Sequence, residues 1–286
     1  MGSDRRNCCG GPGTDGAEPS PDRNRARNGR IDVYVGGTRP PPRRSEAMEA
    51  VIGTAGWSIA SRHAGHFPAG ASTLERYAAR FAAVEINSSF YRPHRPETWR
   101  RWAETVPASF RFAVKVPRAI THERRLADCD DLAEAFLGDL KALGDKLAVL
   151  LVQLPPKLAF DPATAEPFFT GFGAQARTRL ACEPRHPSWF DGEADRLLDR
   201  LGVARVAADP AVVPAAAAPG GWRGLAYWRL HGSPVTYRSS YEDRLDHYAA
   251  RIRAETEQGR EAWCMFDNTL SAFATVNALE LMERLG

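Results

Sequence analysis

The chain predicts an α/β fold in which eight strand–helix units close into a single (β/α)8 barrel. Eight short apolar runs recur, at 51–56, 84–90, 110–117, 147–155, 180–186, 205–210, 225–232 and 262–268. A stretch with helical patterning follows almost every run, and nearly every run ends in a polar or charged residue. Alternating β and α units call for a parallel sheet, and eight of them within about 240 residues suit a closed barrel. Such barrels keep their chemistry where the strands end, so the polar residues there are the candidates for function.

Each element has its own signal. Helices are expected at 72–81, 96–105, 131–143, 162–173, 192–201, 241–257 and 271–285. Ser72 and Glu75 have the spacing of a capping box. The stretch AVVPAAAAPGG at 211–221 carries no helical pattern, so the sixth unit is expected to use an irregular loop. Residues 1–46 are rich in Gly, Pro, Arg and Asp, with IDVYVGG at 31–37 as their one apolar island. That segment buries too little to order itself and is expected to be a disordered tail, which leaves 47–286 as the barrel domain.

Composition narrows the function. The chain has 286 residues, 43% hydrophobic and 26% charged, as in an ordinary soluble domain. A net charge of +3 does not argue for wide nucleic-acid contact. No apolar stretch has the length of a membrane span, and the N-terminus lacks a secretory apolar core, so no membrane partner and a cytoplasmic location are expected. The five cysteines lack CxxC spacing, and Cys182 and Cys264 fall inside predicted strands, where a buried thiol is expected. Nothing in the chain fixes an oligomeric state.

Strand side chains alternate between faces. The parity that opposes the aliphatic residues carries Glu85 and Asn87 in the second run, Lys115 in the third and Gln153 in the fourth. It carries Glu183 and Arg185 in the fifth, Asp209 in the sixth, and Arg229 and His231 in the seventh. In the eighth, Asp267 goes with Trp263 and Met265, and Asn268 has the opposite parity. Unpaired charges cost too much to bury, so these groups must pair with each other or with a ligand. A closed polar plug and a ligand site both satisfy that rule; the position at the strand ends favours a ligand site.

Seven segments together resemble the YecE-like family, domain of unknown function seventy-two. They are IGTAGWS (52–58), VEINSSFYR (84–92), FRFAVKVPRAITH (110–122), LLVQLPP (150–156), CEPRHPSWF (182–190), YWRLHGSP (227–234) and WCMFDNT (263–269). They run in order across the folded domain. The resemblance implies a TIM-type barrel and no particular reaction.

The residues themselves rank the chemistries. A divalent ion could draw on Glu85, Glu183, Asp209, His231 and Asp267, but Lys115, Arg185 and Arg229 interleave with them and repel a cation; no cofactor is expected. A glycosidase needs paired carboxylates, and the fourth and seventh strands offer Gln153 and Arg229 with His231. Lys115 as a Schiff-base lysine needs a lowered pKa, and Glu85 and Glu183 are expected to raise it. An anionic ligand suits the set best. Lys115, Arg185 and Arg229 would hold a phosphorylated or sugar-phosphate-like molecule. Glu85, Asn87, Gln153 and Asn268 would line the site or orient the ligand, and the start of the last helix would add N–H groups. For acid–base hydrolysis or isomerisation, Glu183 or Asp209 would be the base and His231 its proton-transfer partner. The first rival is a barrel that senses or acts on damaged DNA or RNA, with Trp57 and Tyr91 stacking on bases. The second is a non-catalytic sensor or scaffold.

Overall fold

The computed structural model describes residues 48–286, so the tail predicted at 1–46 lies outside the described residues. Strand β1 (Val51–Thr54) leads through a 3-10 turn to α1 (Thr73–Ala78). Then come β2 (Ala83–Ile86), the short α2 (Ser88–Tyr91), α3 (Pro96–Thr105), β3 (Arg111–Lys115) and α4 (Asp130–Leu140). Next are β4 (Leu147–Gln153), α5 (Pro162–Ala176), β5 (Arg179–Glu183), α6 (Gly192–Arg200), β6 (Val203–Arg205) and β7 (Ala207–Asp209). The chain ends with β8 (Gly220–Gly221), β9 (Leu225–Leu230), α7 (Leu245–Glu257), β10 (Glu261–Phe266) and α8 (Phe273–Leu285).

Local chemistry sets these bounds. Ser72 accepts the Glu75 N–H at 3.1 Å, and Glu75 reaches back to the Ala71 N–H at 2.7 Å, one residue ahead of the cap's own N–H. Helix α3 starts at Pro96, whose fixed φ suits a first turn, and stops before Val106, which is held extended by the following Pro107. Asp161 caps α5 ahead of Pro162, and Arg177 closes that helix in the left-handed region at φ 50°. The second run leaves its strand early because Ser89 turns back, donating to the carbonyls of Ile86 and Lys115 at 3.2 and 2.6 Å.

The strands form two sheets. One has the order β1-β10-β9-β7 and is parallel throughout. The other has the order β2-β3-β4-β5-β6-β8 and is parallel except for β8. They adjoin at two seams. Ala55 bridges Glu85, and the Gly56 N–H donates to the Glu85 carbonyl at 2.8 Å. At the other seam the sixth run, expected as one strand, divides at Val206. The Val206 N–H bonds the Cys182 carbonyl at 2.8 Å, while β7 moves over to pair with β9. As the sequence suggests, no α-helix follows β7; residues 210–219 hold only a 3-10 turn at Pro214–Ala217.

Both sheets contribute to one apolar cluster on the faces that oppose the helices. Ala83, Ala113, Ala181 and Ala204 come from one sheet, and Tyr227, Trp263 and Met265 from the other. Small residues facing large ones let the strands pack closely; Tyr227 and Trp263 stack with centroids 6.0 Å apart. The opposite faces pack on the helices through a larger cluster that includes Val84, Val114, Val152, Trp228 and Phe266. No helix among the described residues is long and apolar enough to cross a membrane.

Gly53 sits where β1 meets β2. A Cβ there would overlap the Ala83 carbonyl oxygen and lie 3.0 Å from Met265 Sδ. Gly53→Ala is therefore expected to lower stability by about 1–3 kcal/mol through overpacking of the seam, read as a lower urea midpoint.

Candidate functional site

Arg229, near the end of β9, is completely buried. Its Nη2 donates to Glu85 Oε1 at 2.6 Å and to Asp267 Oδ2 at 3.1 Å. Its Nε reaches Glu85 Oε2 at 3.0 Å. Its Nη1 donates to Glu183 Oε2 at 2.5 Å and Gln153 Oε1 at 3.2 Å. Tyr227, two residues earlier on the same face, donates its hydroxyl to Glu85 at 3.0 Å. His231 continues the ring, with Nδ1 2.9 Å from Asp267 Oδ2 and Nε2 2.9 Å from Glu183 Oε1. Arg185 closes it, with Nη2 2.8 Å from His231 Nε2 and an ion pair to Glu183. The parity reading thus brings together Glu85, Gln153, Glu183, Arg185, Arg229 and His231.

Electrostatics explains how these charges survive burial. Burial pushes the Glu183 pKa up, but Arg185, Arg229 and His231 outweigh it and hold the carboxyl well below its ordinary range. Burial likewise raises Asp267, and Arg229 with the His231 hydrogen bond brings it below ordinary. Burial disfavours the Arg229 charge, and Glu183, Glu85 and Asp267 reverse that and raise its pKa well above ordinary.

Lys115 behaves differently. It is only 7% exposed, yet no carboxylate lies within ion-pair distance of it among the described residues. Its Nζ sits 4.1 Å from the centroid of the Phe90 ring. Burial, then the charge of Arg229, lowers its pKa to about 8 against the pull of Glu183, Glu85 and Asp267. The expected upward shift is therefore corrected: the carboxylates are already engaged by Arg229, and desolvation wins. Nearby, Asn87 Oδ1 and Arg185 Nε are buried with no hydrogen-bond partner among the described residues.

Four further candidates lie apart from this ring. Asp209 does not share the inward parity. Val206 faces the inner cluster and Ala207 the helix-side cluster, so Asp209 points outward, to the Tyr248 hydroxyl and to Arg244 Nη1 at 2.7 Å. The reason is the break at Val206, which an Ala-Ala-Asp run cannot signal. Asn268 is fully buried and donates to Ser239 O at 3.0 Å and Asn277 Oδ1 at 2.9 Å, tying loop to helix. Trp57 is half-buried and packs in a T-shaped contact with Trp102, centroids 5.0 Å apart. Tyr91 is 73% exposed, at the end of α2. Asp267 and Tyr227 are the cluster members absent from the expected ligand-binding set. Both were legible by parity, Tyr227 with Arg229 and Asp267 with Trp263 and Met265, and in the structure the pairing of Phe266 with Leu230 places Asp267 beside His231.

Because Arg229 occupies the centre, the carboxylates converge on a guanidinium. Among the described residues no group of three or more His, Cys, Asp or Glu is arranged to hold a metal ion. The fold and this ring define a parallel α/β protein with a charged cluster at the C-terminal ends of its strands. The chain belongs to the family described as Protein of unknown function DUF72, whose model matches residues 51–286. It is similar to UPF0759 protein YecE of Escherichia coli (strain K12), 34% identical over 153 residues, or 51% of this chain and 56% of that protein. The chain spans about half the length of the curated relatives it matches. A solved DUF72 family protein from Enterococcus faecalis V583 superposes with TM-score 0.70 at 20% identity, covering 83% of this chain and 95% of that one. Another, from Thermotoga maritima MSB8, gives 0.67 at 23% identity, covering 83% and 99%. At these identities the likeness shows the fold alone.

Arg229→Met would leave three carboxylates facing one another without their shared partner. A loss of about 3–5 kcal/mol is expected in urea denaturation. For Lys115 the folded pKa of about 8 lies below the ordinary 10.5, so between those values the unfolded chain binds more protons. Stability should rise through that window as the buried charge is lost, by up to about 3 kcal/mol, and the rise should vanish in Lys115→Met. Urea midpoints of both proteins between pH 8 and 10 measure it.

Proposed function

We propose that the two sheets form one TIM-type (β/α)8 barrel whose mouth binds a small anionic, phosphorylated or sugar-phosphate-like ligand. The seams at Ala55 with Glu85 and at Val206 support closure, as does the Arg229 cluster drawn from both sheets. One observation carries the ligand class. Lys115 is a largely buried residue whose ammonium has no anionic partner among the described residues, while the nearby carboxylates are held by Arg229, Arg185 and His231. An unpaired buried cation calls for an anion. Arg185 Nε adds a free donor, and Asn87 Oδ1 adds an acceptor for a ligand hydroxyl.

Acid–base hydrolysis or isomerisation is the chemistry this ring suits. Nε2 of His231 faces the acceptor Glu183 Oε1 and the donor Arg185 Nη2, so gaining or losing its proton exchanges one hydrogen bond for the other. Glu183, held in its ionised form, is a weak base and serves to orient His231. Both are fully buried, and Asp267 at 8% exposure is the most exposed of the three acids that meet at Arg229. Proton transfer would run between Asp267 and His231; Asp209 faces away and takes no part. A cytoplasmic setting belongs to the same proposal and suits the buried free thiols of Cys129, Cys182 and Cys264.

Calorimetry with inorganic phosphate, ribose 5-phosphate and glucose 6-phosphate tests the reading. Saturable binding is expected, weakened about 10–100-fold in Lys115→Met, the worth of one charge-assisted hydrogen bond. No binding of any probe, or equal binding by Lys115→Met, would overturn it. Salt-dependent oligonucleotide binding that falls in Tyr91→Ala would favour the nucleic-acid rival instead.

A further inference from the structure

We infer that the protein has a second small-molecule site, on the outer face of its sheets, for a compact ligand that carries an oxyanion. The site lies where the sixth unit lacks a helix. After β7 the irregular 210–219 segment, with only a 3-10 turn, stands where the unit's helix was expected. The uncovered space between β7, β9 and α7 is a cavity of about 470 Å³, a size that suits a small organic molecule.

Its walls define what it would hold. Ala207, Ala208 and Leu230 give an apolar floor with small side chains. Trp228 lines the cavity and is 1% exposed, yet its Nε1 has no hydrogen-bond partner among the described residues. An indole N–H can only donate, and a buried donor left unmade is costly. Arg244 adds a second such group. Its Nη1 pairs with Asp209 Oδ2 at 2.7 Å and its guanidinium lies over the Tyr241 ring at 4.6 Å, while its Nη2 is buried without a partner.

Asp209, the carboxylate that lines the cavity, is paired with Arg244, and His247 lines it as well. Asp209 Oδ2 receives both the Tyr248 hydroxyl and Arg244. Arg251 also lines the cavity, and no ion pair to its side chain is present among the described residues. The buried side-chain atoms left without a partner here among the described residues, Trp228 Nε1 and Arg244 Nη2, are both N–H donors, and Arg244 and Arg251 bring two cations to the cavity. Their complement is a carboxylate or phosphate oxygen, with an apolar body resting on the alanines. This site is separate from the one at Lys115: it is on the other side of the strands and uses none of the same side chains.

The Trp228 indole N–H reports on the cavity directly. Its peak in a ¹H–¹⁵N spectrum is identified by its loss in Trp228→Phe, or by backbone assignment if that variant fails to fold. Acetate, benzoate and inorganic phosphate are titrated in turn into the full chain. Saturable movement of that peak by benzoate or acetate identifies a carboxylate site, and movement by phosphate a phosphate site. In either case Arg251→Gln, at a half-buried position, should weaken binding about tenfold, and Lys115→Met should leave it unchanged. A peak that moves with none of the three probes overturns the inference. So does movement that is lost in Lys115→Met and kept in Arg251→Gln, which would assign the binding to the central site.

Discussion

The structure turns on one buried guanidinium. Arg229 stands on the four-stranded sheet and bonds Glu85, Gln153 and Glu183, all of which stand on the other sheet. A planar fork with fixed donor directions tolerates little displacement of its acceptors. The cluster therefore specifies how strands from two sheets line up at their C-terminal ends, where the few backbone bonds at the two seams would leave them loosely joined. Its net contribution to stability is a separate matter, because three desolvated carboxylates offset much of the attraction.

The groups around it divide by exposure. Glu85, Glu183, Arg229 and His231 are sealed and satisfy each other. Lys115, Arg185 and Asp267 form a partly open fringe on that sealed base. The base keeps the local field strong and dry, and the fringe is where solvent or a ligand meets it. Lys115 shows this most clearly, because burial first and the charge of Arg229 second outweigh the pull of the three carboxylates on its ammonium.

Much of this was legible in the chain. Runs such as Val84-Glu85-Ile86 and Tyr227-Trp228-Arg229-Leu230-His231 alternate cleanly, so parity alone assigned their inner residues. Helix α3 was legible to the residue because prolines flank it at both ends. The sixth run failed for a physical reason. Two alanines before Asp209 offer no contrast between faces, and the crossing from one sheet to the other at Val206 has no local signature. Trp57 and Asn268 show a further limit. Position near a strand end places a residue close to the site, but which neighbour it meets depends on chain distant in sequence, here Trp102 and Ser239.

The even match of three acids, Glu85, Glu183 and Asp267, with three bases, Arg185, Arg229 and Lys115, has a consequence for how such a chain can diversify. A balanced core lets rim positions drift without upsetting its neutrality. Within the core, by contrast, a lone replacement of Glu85, Glu183 or Arg229 leaves a surplus charge in a dry setting, so changes at these three must arrive in compensating pairs. Recognition can then vary among descendants of one scaffold while the scaffold itself stays put.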